Sequence, residues 1–156
     1  MSDVYQFKVR VGVILIRDNK ILLVRQNNKP FWVFPGGTLE VEEGLEECAI
    51  REIKEEINLD ISIQKILYLA DFLRAPDSKS TDRSPKHTID VFMLGEYVGG
   101  VPMMALDENL NDMAFFTREE CLERNIRPEL VSKRVLEDWE HGFANVSGLY
   151  LGKYLA

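Results

Sequence analysis

The run Pro35-Gly36-Gly37, followed by an acidic amphipathic stretch that ends at Asn58, constrains this chain more than any other feature. Proline fixes φ, and the glycines accept torsions and close approaches that a Cβ forbids, so a loop is predicted there. From Glu43 to Ile57 the apolar residues Leu45, Ala49, Ile53 and Ile57 recur four apart among good helix formers, which predicts a helix with one buried stripe. Asn58 tolerates the left-handed conformation that ends such a helix. Within it, Glu52, Glu55 and Glu56 are related by i, i+3 and i, i+4 spacings and converge. Glu52 and Glu56 point within roughly 40° of each other, between Cys48 and Ala49, on the margin of the apolar stripe. Like charges crowded at a core edge repel and lose hydration unless cations or donors compensate, and a hard divalent cation bound through oxygen is the natural compensation. A solvated Glu-rich face, with Glu47 and Arg51 as an ordinary i, i+4 pair, is the plain alternative. The adjacent glycine loop, able to bring backbone atoms to the same metal or phosphate, favours one combined site.

The flanks are strand-like. Tyr5 to Ile16 and Ile21 to Val24 are joined by Asp18-Asn19-Lys20 and predict a hairpin, and Phe31 to Phe34 is a third short strand. Strands are also predicted over Ile61 to Leu73 and Thr88 to Val98, separated by the polar segment Arg74 to His87, too long for a tight turn and a candidate substrate loop. Beyond Gly99-Gly100 and Pro102 come a short strand at Met113 to Phe116, a capping box at Thr117 and Glu120 opening a helix, and an amphipathic helix over Pro128 to Glu140. The tail, residues 141–156, takes no predicted element. Strands around a central helix, followed by C-terminal helices, predict an α/β or α+β sandwich in a single domain over residues 1–156.

Charge and cysteine usage exclude several classes. The formal net charge of -7 and the lack of any basic run predict no nucleic-acid partner, so an anionic ligand has to be handled locally. Apolar runs are short, as at Val13 to Ile16, which predicts no membrane span, and the start MSDVYQFKVR has no signal-peptide pattern. Cys48 and Cys121 are far apart with no C-x-x-C spacing, which points to a reduced compartment, the cytoplasm. Arg74, Lys79, Arg83, Lys86 and His87 form the one local concentration of positive charge, suited to gripping phosphates, or else a solvated loop. Trp32, Phe31 and Phe72 are candidates to stack on a base or to fill the core, and Arg25 is a candidate to touch substrate or another charge.

Read as a string, Gly37, five residues, Glu43, seven residues, then Arg51-Glu52-Ile53-x-Glu55-Glu56-x-Asn58-Leu59 resembles the Nudix box, G-x5-E-x7-R-E-U-x-E-E-x-G-U. The single departure is Asn58 in place of the family glycine. The resemblance implies an α/β/α sandwich with a mixed central sheet, carrying the catalytic loop-helix-loop. It implies Mg²⁺ or Mn²⁺ held by Glu52, Glu55, Glu56 and the Gly37 carbonyl, with Arg51 orienting these carboxylates and Glu43 supporting them. It further implies hydrolysis of a pyrophosphate bond in a nucleoside diphosphate linked to another moiety, such as ADP-ribose, by water attacking phosphorus. The general base is Glu55 or Glu56, or a carboxylate of a later loop, for which Asp107, Glu108 and Asp112 are the candidates. A nucleoside triphosphate pyrophosphohydrolase and a non-catalytic nucleotide-sensing domain stay open as alternatives. The expected partner is a small-molecule nucleotide, and a homodimer, common in the family, also stays open.

Overall fold

In a computed structural model the described residues are 6–26, 28–74, 86–105 and 110–155. The opening hairpin joins β1 (Gln6–Arg17) to β2 (Lys20–Gln26) through Asp18 and Asn19, at φ 51° and 61°. Both are in the left-handed region that Asp and Asn tolerate best among residues with a side chain, and the turn's twist matches that of the strands. Next come β3 (Trp32–Val33), β4 (Gly36–Thr38), α1 (Leu45–Ile57), β5 (Asp60–Arg74), β6 (Lys86–Gly99) and β7 (Leu110–Phe116). The chain continues through α2 (Arg118–Leu122), β8 (Ile126–Arg127), α3 (Glu129–Trp139) and β9 (Tyr150–Leu155).

The strands form one mixed sheet in the order β8-β3-β2-β1-β6-β5-β9, with β4 added beside β1 and β7 beside β2. Pairings β1 with β6, β3 with β8 and β5 with β9 are parallel, and the rest are antiparallel. Alternation along β1 divides the core. Val11, Val13 and Leu15 pack with Cys48, Ala49, Ile53 and Ile57 of α1, whereas Ile14 packs with Tyr68 and with Val131 and Val135 of α3. The two helices therefore cover opposite faces, which is the α/β/α sandwich that the family resemblance implies.

Three short strands depart from the sequence reading. Gly36 and Gly37, read as loop, pair with Gly12 and Val11 as β4; a Cβ on Gly36 would lie 1.9 Å from the Val11 carbonyl oxygen, so only glycine allows this approach. Ile126–Arg127 forms β8 against β3. The tail, which carried no predicted element, supplies β9, added to β5 at the sheet edge. Among the described residues no helix is long and apolar enough to cross a membrane.

Candidate metal and phosphate site

Helix α1 starts after Gly44, whose N–H donates to Glu47 Oε1 at 3.3 Å, so Glu47 serves the helix start and not Arg51. It ends at Asn58, at φ 64°, whose N–H reaches the Lys54 carbonyl at 3.1 Å and whose Nδ2 donates to the Val101 carbonyl at 3.2 Å. Backbone bonds from Met103 N–H to the Ile57 carbonyl and from Ala105 N–H to the Glu56 carbonyl fasten the segment after β6 onto the same turn. Cys48, Ala49, Ile53 and Ile57 are fully buried, which fixes the rotation of the helix and leaves its acidic side toward β4.

That rotation brings loop and helix together. The carboxylate of Glu52 is packed against Gly37, so that a Cβ there would fall 2.2 Å from Glu52 Cδ. Around it, Arg51 forms a fork: Nε and Nη2 donate to the two oxygens of Glu43, at 2.5 and 2.9 Å, and Nη1 donates to Glu52 Oε1 at 2.9 Å and Glu55 Oε2 at 3.2 Å. Nη2 also reaches the Thr38 carbonyl at 3.3 Å, and Glu40 lies 3.7 Å from Nη1. Thr38 and Glu40 are members of this network that sequence spacing alone did not single out. Glu55 is open, with 61% of its side chain exposed against 16% for Glu52, and Glu56 is half-buried one turn beyond Glu52.

The electrostatics follow from this packing. Hydrogen bonds from Arg51 hold the Glu43 carboxyl down at about 2, whereas burial foremost pushes Glu52 up, against the pull of Arg51 and with the neighbouring Glu55 and Glu43 adding to the rise. One guanidinium thus faces the carboxylates of Glu40, Glu43, Glu52 and Glu55, and Glu52, packed against Gly37, lacks full compensation. An all-oxygen donor set that is short of positive charge, beside a glycine that leaves room for a close backbone approach, fits a hard divalent cation. Among the described residues no three acidic, His or Cys side chains already converge as a metal-ligand set; Glu52 and Glu55 are turned to Arg51.

The remaining candidates fall elsewhere. Arg25 Nη2 pairs with Asp112 Oδ2 at 3.0 Å and its guanidinium lies 5.0 Å from the Trp32 ring, so Arg25, Trp32 and Asp112 form a separate group on β2, β3 and β7. Phe31 meets Arg127, and Phe72 stacks near Tyr154. His87 bonds to Asp71 at 2.7 Å, and Arg74 ends β5 opposite Lys86. Lys79, Arg83, Asp107 and Glu108 lie outside the described residues. Both cysteines are free and buried, and burial foremost pushes their thiols up to about 12 for Cys48 and about 11 for Cys121, which leaves them unreactive.

Known proteins are similar to this chain in sequence and in fold. An ADP-ribose pyrophosphatase of Methanocaldococcus jannaschii is 38% identical over 96 residues, 59% of this chain and 52% of that one. An 8-oxo-dGTP diphosphatase of Proteus vulgaris is 29% identical over 102 residues, 62% of this chain and 83% of that one. The match thus spans about half the length of the first of these relatives. A crystal structure of a NUDIX hydrolase from Nitrosomonas europaea superposes with a TM-score of 0.71 at 21% identity, covering 98% of this chain and 81% of that one. Residues 6–138 match the NUDIX domain as a family, a span that takes in β1 through nearly all of α3 and the whole loop-helix site, and the chain belongs to that family.

Proposed function

We propose that this chain is a divalent-cation-dependent pyrophosphohydrolase acting on a nucleoside diphosphate linked to another moiety, with ADP-ribose the leading substrate. The observation that carries this reading is the packing of Glu52 against Gly37 beneath the Arg51 fork, which draws a half-buried carboxylate and the β4 backbone to one point. Glu52, Glu55, Glu56 and the Gly37 carbonyl would hold Mg²⁺ or Mn²⁺. When bound, the ion neutralises pyrophosphate oxygens and makes an attacking water more acidic.

Arg51, held by Glu43 through two hydrogen bonds, keeps the carboxylates of Glu52 and Glu55 in place. Glu55 or Glu56 takes the proton as the water oxygen bonds to phosphorus. The bridging P–O bond then breaks, giving a nucleoside monophosphate and the phosphorylated remainder. Asp112 is committed to Arg25, and we assign it to holding that arginine beside Trp32. The ADP-ribose assignment draws on the Methanocaldococcus relative. The Proteus relative, matched over most of its length, supports the second reading, a nucleoside triphosphate pyrophosphohydrolase. The intact carboxylate set argues against a domain that only senses nucleotides, since a binder has no need of crowded acids. Two unreactive, unpaired thiols support a reducing, cytoplasmic location, and we read residues 1–156 as one domain.

The test is a nucleotide panel with Mg²⁺ and product analysis. A nucleoside monophosphate with a phosphorylated remainder supports the main reading, inorganic pyrophosphate the second, and an inactive panel rejects both.

A further inference from the structure

On the sheet face that α1 covers, beyond the N-terminal end of that helix, His87, Asp71 and Tyr150 form a linked polar group that the reaction above does not use. Val91 and Met93 of β6 pack against α1, so Ile89 and His87, earlier by even steps, share their face. Asp71 of β5 is opposite Ile89, and Phe7 of β1 is opposite His87. His87 Nε2 lies 2.7 Å from Asp71 Oδ1, and the hydroxyl of Tyr150, on β9, donates to Asp71 Oδ2 at 2.5 Å. These bonds, that of Tyr150 foremost, hold the Asp71 carboxyl below the usual range, so it only accepts. In the neutral imidazole the proton is therefore on Nε2, directed at Asp71, and Nδ1 is the acceptor.

The surroundings suit a flat aromatic ligand. His87 has 41% of its side chain exposed, and Phe7, 57% exposed, meets its ring edge-on at a centroid distance of 5.3 Å. An open aromatic surface beside an oriented acceptor matches a nucleobase that carries an exocyclic amine. Position agrees with this. β1 pairs Val11 with Gly37 and Phe7 with His87, so the two sites are about 13 Å apart along the strand and about 10 Å across it, on the scale of an extended nucleotide.

We infer that His87 reads the amine of the ligand's nucleobase, and that Asp71 and Tyr150 are positioning residues that fix its ring. This rests on the nucleotide reading above and adds to it a role for the C-terminal strand, which lies outside the matched family span.

The test is equilibrium binding of AMP, IMP and ribose 5-phosphate, each with Mg²⁺, by titration calorimetry. IMP has a keto group where AMP has the amine, and ribose 5-phosphate has no base. Wild type should bind AMP about tenfold more tightly than IMP, the value of one directed hydrogen bond. His87→Ala should bring AMP to the IMP level and leave the other two ligands unchanged. Tyr150→Phe should weaken AMP about threefold alone and not at all in the His87→Ala background, because it acts through His87. His87→Gln, with an unchanged melting temperature, guards against loss through misfolding. Equal binding of AMP and IMP by wild type, an equal loss for all three ligands, or additive effects of the two variants would overturn the inference. An inactive hydrolysis panel would reject the hydrolase reading, while the AMP-to-IMP comparison would still decide this one.

Discussion

The carboxyl carbon of Glu52 sits 2.2 Å from the point that a Cβ on Gly37 would occupy. Residue 37 and the helix acid thus compete for one volume, and glycine resolves the competition in favour of the acid. Gly37→Ala would push the end of a flexible side chain aside, at small cost to folding, and move the acid from its place. We predict a fall in kcat/KM of at least about 100-fold, equivalent to about 2.7 kcal/mol, with unfolding free energy within about 1 kcal/mol of wild type. Denaturant titration beside steady-state kinetics checks it.

The Arg51–Glu43 pair contributes to the acid limb of stability. Glu43 is depressed from 4.5 to about 2 in the fold, so its contribution is fully present above 4.5 and is lost as pH falls toward 2. Glu43→Gln should lower the melting temperature at pH 7 and flatten its decline between those two values. A variant that melts with the wild-type pH profile would remove Glu43 from this role.

Glu52 has the opposite sign. Burial raises it, so the contribution of its neutral form is present at low pH and is lost as pH rises through the raised value. A divalent cation relieves the penalty only once the acid is charged. The rise in melting temperature on adding Mg²⁺ should therefore be larger at pH 8 than at pH 5, and chelation should reverse it. Equal shifts at both values would argue against cation binding at Glu52.

The stripe Leu45, Ala49, Ile53 and Ile57 was legible because a helix writes its buried face into near neighbours, and the same periodicity put Glu52 at the core edge, where it lies. Long-range partners were not legible. The i, i+4 rule offered Glu47 to Arg51, but the loop folds Glu43 back from eight residues away and gives it two hydrogen bonds, more than helix spacing can supply. Arg25 finds Asp112 across 87 residues, and Tyr150 finds Asp71 across 79, pairings that only strand order determines. β4 was hidden because two glycines read as loop, though they extend beside β1 without a Cβ clash. β9 was hidden because an edge strand needs only one partner and shows no full alternation of burial.

Asn58, the one departure from the box, stands at φ 64°. Asn58→Gly should fall within about 1 kcal/mol of wild type, relieving the left-handed cost while losing the bond to the Val101 carbonyl. Asn58→Val should cost more than about 1 kcal/mol, because a β-branched residue tolerates this region least. Chemical denaturation of the pair distinguishes a conformational requirement at this site from a side-chain one.

The most direct test of cation-dependent hydrolysis at the α1 carboxylates is incubation of the purified chain with ADP-ribose and Mg²⁺, with products resolved by chromatography, beside Glu56→Gln. AMP and ribose 5-phosphate are expected in equal amounts, with no product in the presence of chelator and turnover abolished in the variant with its fold intact. Turnover that survives either chelation or the substitution would contradict the assignment of a divalent cation to the Glu52, Glu55 and Glu56 face of α1.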